Sequence, residues 1–143
     1  MRSTNKRSRA WALALAVIAT QGLAQVSAAV GEKVPGAQLQ TWLDQKSSYA
    51  GVHHPSQCVL LNVAQADCRV LFIRCPNGWA EKLNGSARVT GDQYCTSFPV
   101  PNTPPGEDCV TWHGIGQGKF EQRKAGALDA TVIVLPAGLA AAK

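Results

Sequence analysis

Residues 58–75, Cys-Val-Leu-Leu-Asn-Val-Ala-Gln-Ala-Asp-Cys-Arg-Val-Leu-Phe-Ile-Arg-Cys, constrain the fold more than any other stretch. They hold three of the five cysteines and the densest run of branched apolar side chains outside the N-terminus. Two apolar segments, 59–63 and 70–73, flank a short polar one, which predicts two strands joined by a loop near residues 65–68. In that register Cys58 falls opposite Cys75, and Leu60 and Ile73 share their face. A slip of two residues keeps both cysteines on one side, because side-chain direction alternates along a strand. A helix over residues 59–72 is the competing reading of the same residues.

The first thirty residues read as an address. Arg2, Lys6, Arg7 and Arg9 precede a mostly apolar run over 10–24, and Val26-Ser27-Ala28 offers small residues at a cleavage site after Ala28. This is the pattern of a secretory signal peptide over residues 1–28. The apolar run is shorter than the roughly 20 residues a bilayer span needs, and no later stretch could span. Of the 14 Lys plus Arg, four lie in this leader, while none of the 9 Asp plus Glu does. What remains carries 10 basic against 9 acidic residues, a net charge of +1. The basic character therefore belongs to the leader, and no charge run is left to form a nucleic-acid footprint. By length, residues 29–138 make a single small domain, with 139–143 a frayed tail.

All five cysteines, at 58, 68, 75, 95 and 109, follow the leader. In a periplasmic or secreted protein they imply a disulfide framework. Two bridges and one spare thiol allow fifteen arrangements. The hairpin register favours Cys58 with Cys75, and Cys95 with Cys109 would close the proline-rich loop between them. Cys68 is then the odd thiol, either buried or available to link two copies.

Residues 35–49 predict an amphipathic helix: Pro35 suits a first turn, Leu39, Trp42, Leu43 and Tyr49 share a face, and Gly51 is placed to end it. His53-His54-Pro55 reads as loop, and no pair spacing there suits a metal. Asn84-Gly85 predicts a tight turn between strands 79–83 and 86–90. Residues 93–98 form a short strand. Four prolines (Pro99, Pro101, Pro104, Pro105) make 99–108 a stiff exposed loop. A hairpin over 109–123 centred on Gly116 sets Trp112 opposite Phe120, and 128–135 is a final strand. The expected fold is mainly β, a small antiparallel sheet, sandwich or barrel-like structure with one N-terminal helix, stabilised by disulfides.

For chemistry, His113 with Glu121 across the last hairpin is the best acid–base pair, one that a small secreted hydrolase or nuclease could use. The sequence holds no Gly-x-Ser-x-Gly, His-Glu-x-x-His or Cys-x-x-Cys motif, and no cofactor or metal is expected. The leading expectation is an exported, non-enzymatic protein-binding module, such as an inhibitor or envelope accessory protein. Its contacts would come from Pro101, Pro104 and Pro105, from Gly116 and Gln117, or from the exposed side of the 79–90 hairpin. The partner would be another exported or envelope protein. A structural envelope component, disulfide-linked through Cys68, is the third expectation.

Overall fold

The computed structural model describes residues 30–100, 102, 104 and 106–137. The expected signal peptide, the tail 139–143, Pro101 and Pro105 lie outside the described residues. One helix, α1 (Gly36–Asp44), precedes eight strands: β1 (Ser48–His53), β2 (Cys58–Ala64), β3 (Arg69–Arg74), β4 (Ala80–Thr90), β5 (Gln93–Ser97), β6 (Asp108–Gly116), β7 (Lys119–Lys124) and β8 (Ala127–Leu135). Each strand pairs antiparallel with the next, and β8 pairs back onto β1, so the sheet closes into a barrel. Closure leaves no free sheet edge of the usual kind. Of sheet, sandwich and barrel, the chain forms the barrel.

The central hairpin has the expected register, with Leu60 opposite Ile73 and Val59 opposite Arg74. The helix is shorter than the apolar spacing predicts. It ends at Asp44 because Lys46 turns left-handed (φ 55°), Lys46 N–H donates to Leu43 O and Ser47 N–H donates to Trp42 O. That is a Schellman termination made by a lysine where glycine is usual, so no glycine marks it in the sequence. Tyr49 therefore belongs to β1, not to the helix, and His53 ends a strand instead of lying in a loop.

The turn expected at Asn84-Gly85 is not made. The hairpin is instead turned by residues 75–79, where Gly78 (φ 87°) donates to Cys75 O and Cys75 N–H donates to Trp79 O. β4 runs straight through, pairing over Ala80–Gly85 with β3 and over Ser86–Thr90 with β5. Gly85 answers to a different need: a Cβ there would lie 2.0 Å from Ser97 O, so only glycine lets β5 approach. The last hairpin is also re-centred. Gln117 (φ 56°) and Gly118 (φ 70°) make its turn, which sets Trp112 opposite Gln122 and Gly114 opposite Phe120. The shift is two residues, so Trp112 and Phe120 still share the inner face.

The core sits toward one end of the barrel. Trp112 lies among Tyr49, Tyr94, Phe120 and Trp42, with ring centroids 5.2 to 5.9 Å away, edge-on to the two tyrosines and tilted against Trp42 and Phe120. Such pairs add about 0.5–1.5 kcal/mol beyond area burial. α1 stoppers this end, packing Leu39, Trp42 and Leu43 on the aromatic cluster. Its first turn rests on the β4–β5 turn, where Asp92 Oδ1 accepts from Gly36 N–H at 2.8 Å. A Cβ on Gly36 would meet Gly91 O at 1.8 Å, so the seat requires glycine.

Because β5 pairs with β6 only over residues 108–110, the far half of β6 would lack a partner on that side. The segment before the helix fills the gap. Gly31 N–H donates to Gly114 O, Gly114 N–H to Glu32 O, and Val34 N–H to Trp112 O. Among the described residues no helix is long and apolar enough to cross a membrane.

Candidate functional site

With α1 closing one end, the opposite end of the barrel is left with a cavity of about 440 Å³. The β1–β2 loop, the residue 75–79 turn, the proline-rich loop and the β7–β8 turn all lie at this end, and of these the proline-rich loop lines the cavity. The two disulfides pin this end: Cys58 is bonded to Cys75 and Cys95 to Cys109, the pairing favoured from the sequence. Phe98, Pro99, Val100 and Pro104 of the proline-rich loop lean over the opening. Arg88 holds that loop from outside by a two-pronged bond to Glu107 (2.6 and 2.7 Å), which keeps the Glu107 carboxyl below its ordinary range.

The cavity has two unlike walls. Leu60 on β2, Leu71 on β3 and Leu83 on β4 form an apolar one. In an eight-stranded ring these strands stand across from β6, β7 and β8. From that side and from β1 come Asp108, Gln122, Lys124, Asp129 and His53. Lys124 Nζ bonds Asp108, which raises its pKa, and Asp129 adds to the rise. His53 Nε2 lies 3.5 Å from Asp129 Oδ1, and its Nδ1 is 2.7 Å from Ser56 Oγ. Gln122 is 5% exposed, and its Nε2 has no partner in hydrogen-bonding geometry among the described residues. Buried polar groups are normally paired, and Gln122 Nε2 shares this unpaired condition with Trp112 Nε1 in the core.

Beneath the cavity a polar chain runs into the aromatic core. Arg69, itself buried, donates from Nε to Asn62 Oδ1 (2.5 Å) and from Nη2 to Ser47 O (2.9 Å). Asn62 Nδ2 in turn donates to the Tyr49 hydroxyl at 2.9 Å. Arg69 makes no ion pair with a carboxylate among the described residues. It faces the Tyr49 ring at 6.0 Å instead. Burial still holds the Tyr49 phenol above its ordinary pKa, against the pull of Arg69, and raises Tyr94 as well.

The residues singled out from sequence fall in several places. His113 and Glu121 are cross-strand neighbours on the outer face. They do not bond each other: His113 Nε2 meets Thr111 Oγ1 (3.0 Å), and Arg123 occupies Glu121 (2.8 Å). Neither lines the cavity. Pro104 is on the cavity rim, whereas Gly116 and Gln117 lie at the other end of the nine-residue β6. The proline loop and the glycine turn therefore cannot form one surface. His54 bonds Thr131 Oγ1 at 2.7 Å, away from His53. Cys68, half-buried, is the free thiol among the described residues and lies in the β2–β3 loop. Cys95, Glu107 and Cys109 cluster as metal ligands would, but the disulfide leaves no thiolate to bind one.

Gln122, Lys124, Asp129 and Arg69 were not picked out from the sequence. A signal was present: Gln122 shares the inward parity of Phe120, and Arg69 that of Leu71 and Ile73, which puts polar groups inside. On the β2–β4 flank, the outer surface carries a shallow apolar groove lined by Val59, Leu61 and Phe72, with Arg74 and Lys82 beside it. The chain matches no family model, no curated protein and no solved structure.

Proposed function

We propose that this protein is a small-molecule-binding barrel that works in an oxidising compartment, periplasmic or secreted. Two disulfides in a small domain and an N-terminal stretch of signal-peptide pattern support the location. The observation that carries the binding role is the cavity of about 440 Å³ at the barrel mouth, apolar on one wall and polar on the other. It falls within the roughly 300–1,000 Å³ of ordinary ligand sites, and barrel mouths are a preferred place for them. The test is titration of an environment-sensitive apolar dye, followed by calorimetry, into the oxidised protein and into Leu83→Trp. Saturable one-site binding that Leu83→Trp abolishes while leaving the fold intact is expected. Binding that never saturates, or that Leu83→Trp leaves unchanged, would overturn the reading.

A second reading, contact with another exported or envelope protein, is favoured by the outer flank. Val59 and Phe72 are 55% and 40% exposed there. Neighbouring apolar side chains in water at this level mark contact surfaces more often than single ones do. The two readings use opposite sides of the same three strands and are compatible.

A further inference from the structure

We infer that the cavity receives an uncharged apolar molecule that carries a carbonyl oxygen: a ketone, ester or amide on a hydrocarbon or aromatic body. This deepens the ligand-binding reading above and rests on it. The selective groups lie on the floor of the cavity, not at its rim. Lys124 and Asp108 are 54% and 68% exposed at the rim, so solvent screens them and they select little. Tyr49, Tyr94 and Gln122 line the cavity where it meets the core, and all three are buried. Water reaches them least, so an unmatched hydrogen bond costs most there.

The floor is short of acceptors. An arginine has donors alone, and this fixes the direction of the polar chain that Arg69 heads. Arg69 donates to Asn62 Oδ1, so Asn62 Nδ2 donates on and the Tyr49 oxygen accepts. The Tyr49 proton is left to donate elsewhere. Burial keeps that proton on, against the pulls of Arg69, Gln122 and Asn62. Gln122 stands beside the same hydroxyl, and its Nε2 is unpaired. Turning the amide over would let Oε1 accept from Tyr49 but leave the two N–H groups to find a partner, so the shortage stays. Trp112 Nε1 is unpaired too, but it lies in the aromatic core and does not line the cavity.

A carbonyl oxygen, with two lone pairs and no proton of its own, can accept from Gln122 and Tyr49 together. An alcohol or a cation would bring further donors to a floor that already has too many. A carboxylate would meet uncharged donors, because the bonds of Arg69 go to Asn62 and Ser47 O. Giving up its hydration for those costs far more than a neutral oxygen loses. Leu60, Leu71 and Leu83 then take the apolar body. Size agrees: the cavity equals about fifteen water volumes at ~30 Å³ each, room for a molecule of about a dozen non-hydrogen atoms.

Calorimetric titration of the oxidised protein with benzylacetone tests this, beside butylbenzene (no acceptor), phenylbutyrate (an anion) and phenylbutylamine (a cation). Benzylacetone should bind saturably and at least tenfold more tightly than either charged compound. Gln122→Met and Tyr49→Phe should each weaken benzylacetone by about threefold to tenfold, the worth of one hydrogen bond, without weakening butylbenzene. The carbonyl stretch of bound benzylacetone should lie below its position in hexane and move back up in both variants. Gln122→Met exchanges an unpaired buried amide for an apolar chain of similar length, so unfolding curves should show it at least as stable as the parent. It decides the matter if Tyr49→Phe loosens the core. No binding of benzylacetone, equal effects of Gln122→Met on benzylacetone and butylbenzene, an unshifted carbonyl band, or tighter binding of either charged compound overturns the carbonyl reading, while the dye result for Leu83→Trp still stands. If the dye test fails as well, the cavity itself is not a binding site.

Discussion

Removing the disulfides should cost stability by amounts that follow from where they sit. Cys95 and Cys109 are direct cross-strand partners, 14 residues apart, and the loop they close forms part of the cavity rim. In the chain-entropy description, a closed loop of about 15 residues restricts the unfolded chain by roughly 3 kcal/mol. Cys58 and Cys75, 17 residues apart, give roughly the same figure. The two loops do not overlap along the chain, so their effects should add to about 6 kcal/mol. That approaches the whole stability of a domain this size, about 5–15 kcal/mol. The measurement is urea unfolding of the oxidised protein, of Cys58→Ala/Cys75→Ala, of Cys95→Ala/Cys109→Ala, and of the chain lacking all four. Each single removal should lower the unfolding free energy by about 3 kcal/mol and steepen the urea dependence, because a freer unfolded chain exposes more surface. The chain lacking both should be largely unfolded near 37 °C. A loss below about 1 kcal/mol for either pair would refute the entropic reasoning. So would two losses that fail to add, which would mean that the unfolded chain is already ordered at those positions.

Two further outcomes follow from the ends and the flank of the barrel. Asp92 holds its carboxyl below the ordinary range through the Gly36 N–H, with Lys33 adding to the shift. A depressed carboxylate stabilises the fold above its unfolded pKa of about 3.9, and that stability is lost as pH falls through the folded value. Asp92→Asn should therefore melt with a shallower acid limb than the parent in thermal scans from pH 6 down to pH 2. Identical limbs would show that the helix seat does not depend on that charge. On the outer flank, Phe72→Ser with Val59→Ser should change surface association, read by sedimentation or by titration of an identified partner. Thermal stability should stay nearly the same, because both side chains are already substantially exposed. A large loss of stability would mean that the flank is core, not contact surface.

How much of this could be seen beforehand depends on which force set each feature. The 58–75 hairpin was legible because two branched apolar runs and a pair of cysteines agree on one parity. α1 was legible on its apolar face but not at its end, because a left-handed lysine terminates it and leaves no glycine as a marker. The missed turn at Asn84-Gly85 shows the reverse: a turn-prone pair can be kept for close approach between strands, which only the neighbouring strand reveals. The cavity could not be read at all. It arises where closure brings the leucines of β2, β3 and β4 opposite β7 and β8, far apart in the chain. Gln122 and Arg69 did carry a local clue, each a polar group on an inward position.

The pairing of residues 31–34 with β6 bears on how the protein keeps apart from copies of itself. That short strap is what covers the backbone donors and acceptors of residues 112–114, and among the described residues three backbone hydrogen bonds hold it there. Were it to peel away, an otherwise edgeless molecule would offer one ready template for strand addition, the usual seed of unwanted association. A bulky fusion placed just ahead of residue 30 would pull at that seam, so attaching purification handles at the other terminus should keep preparations better dispersed.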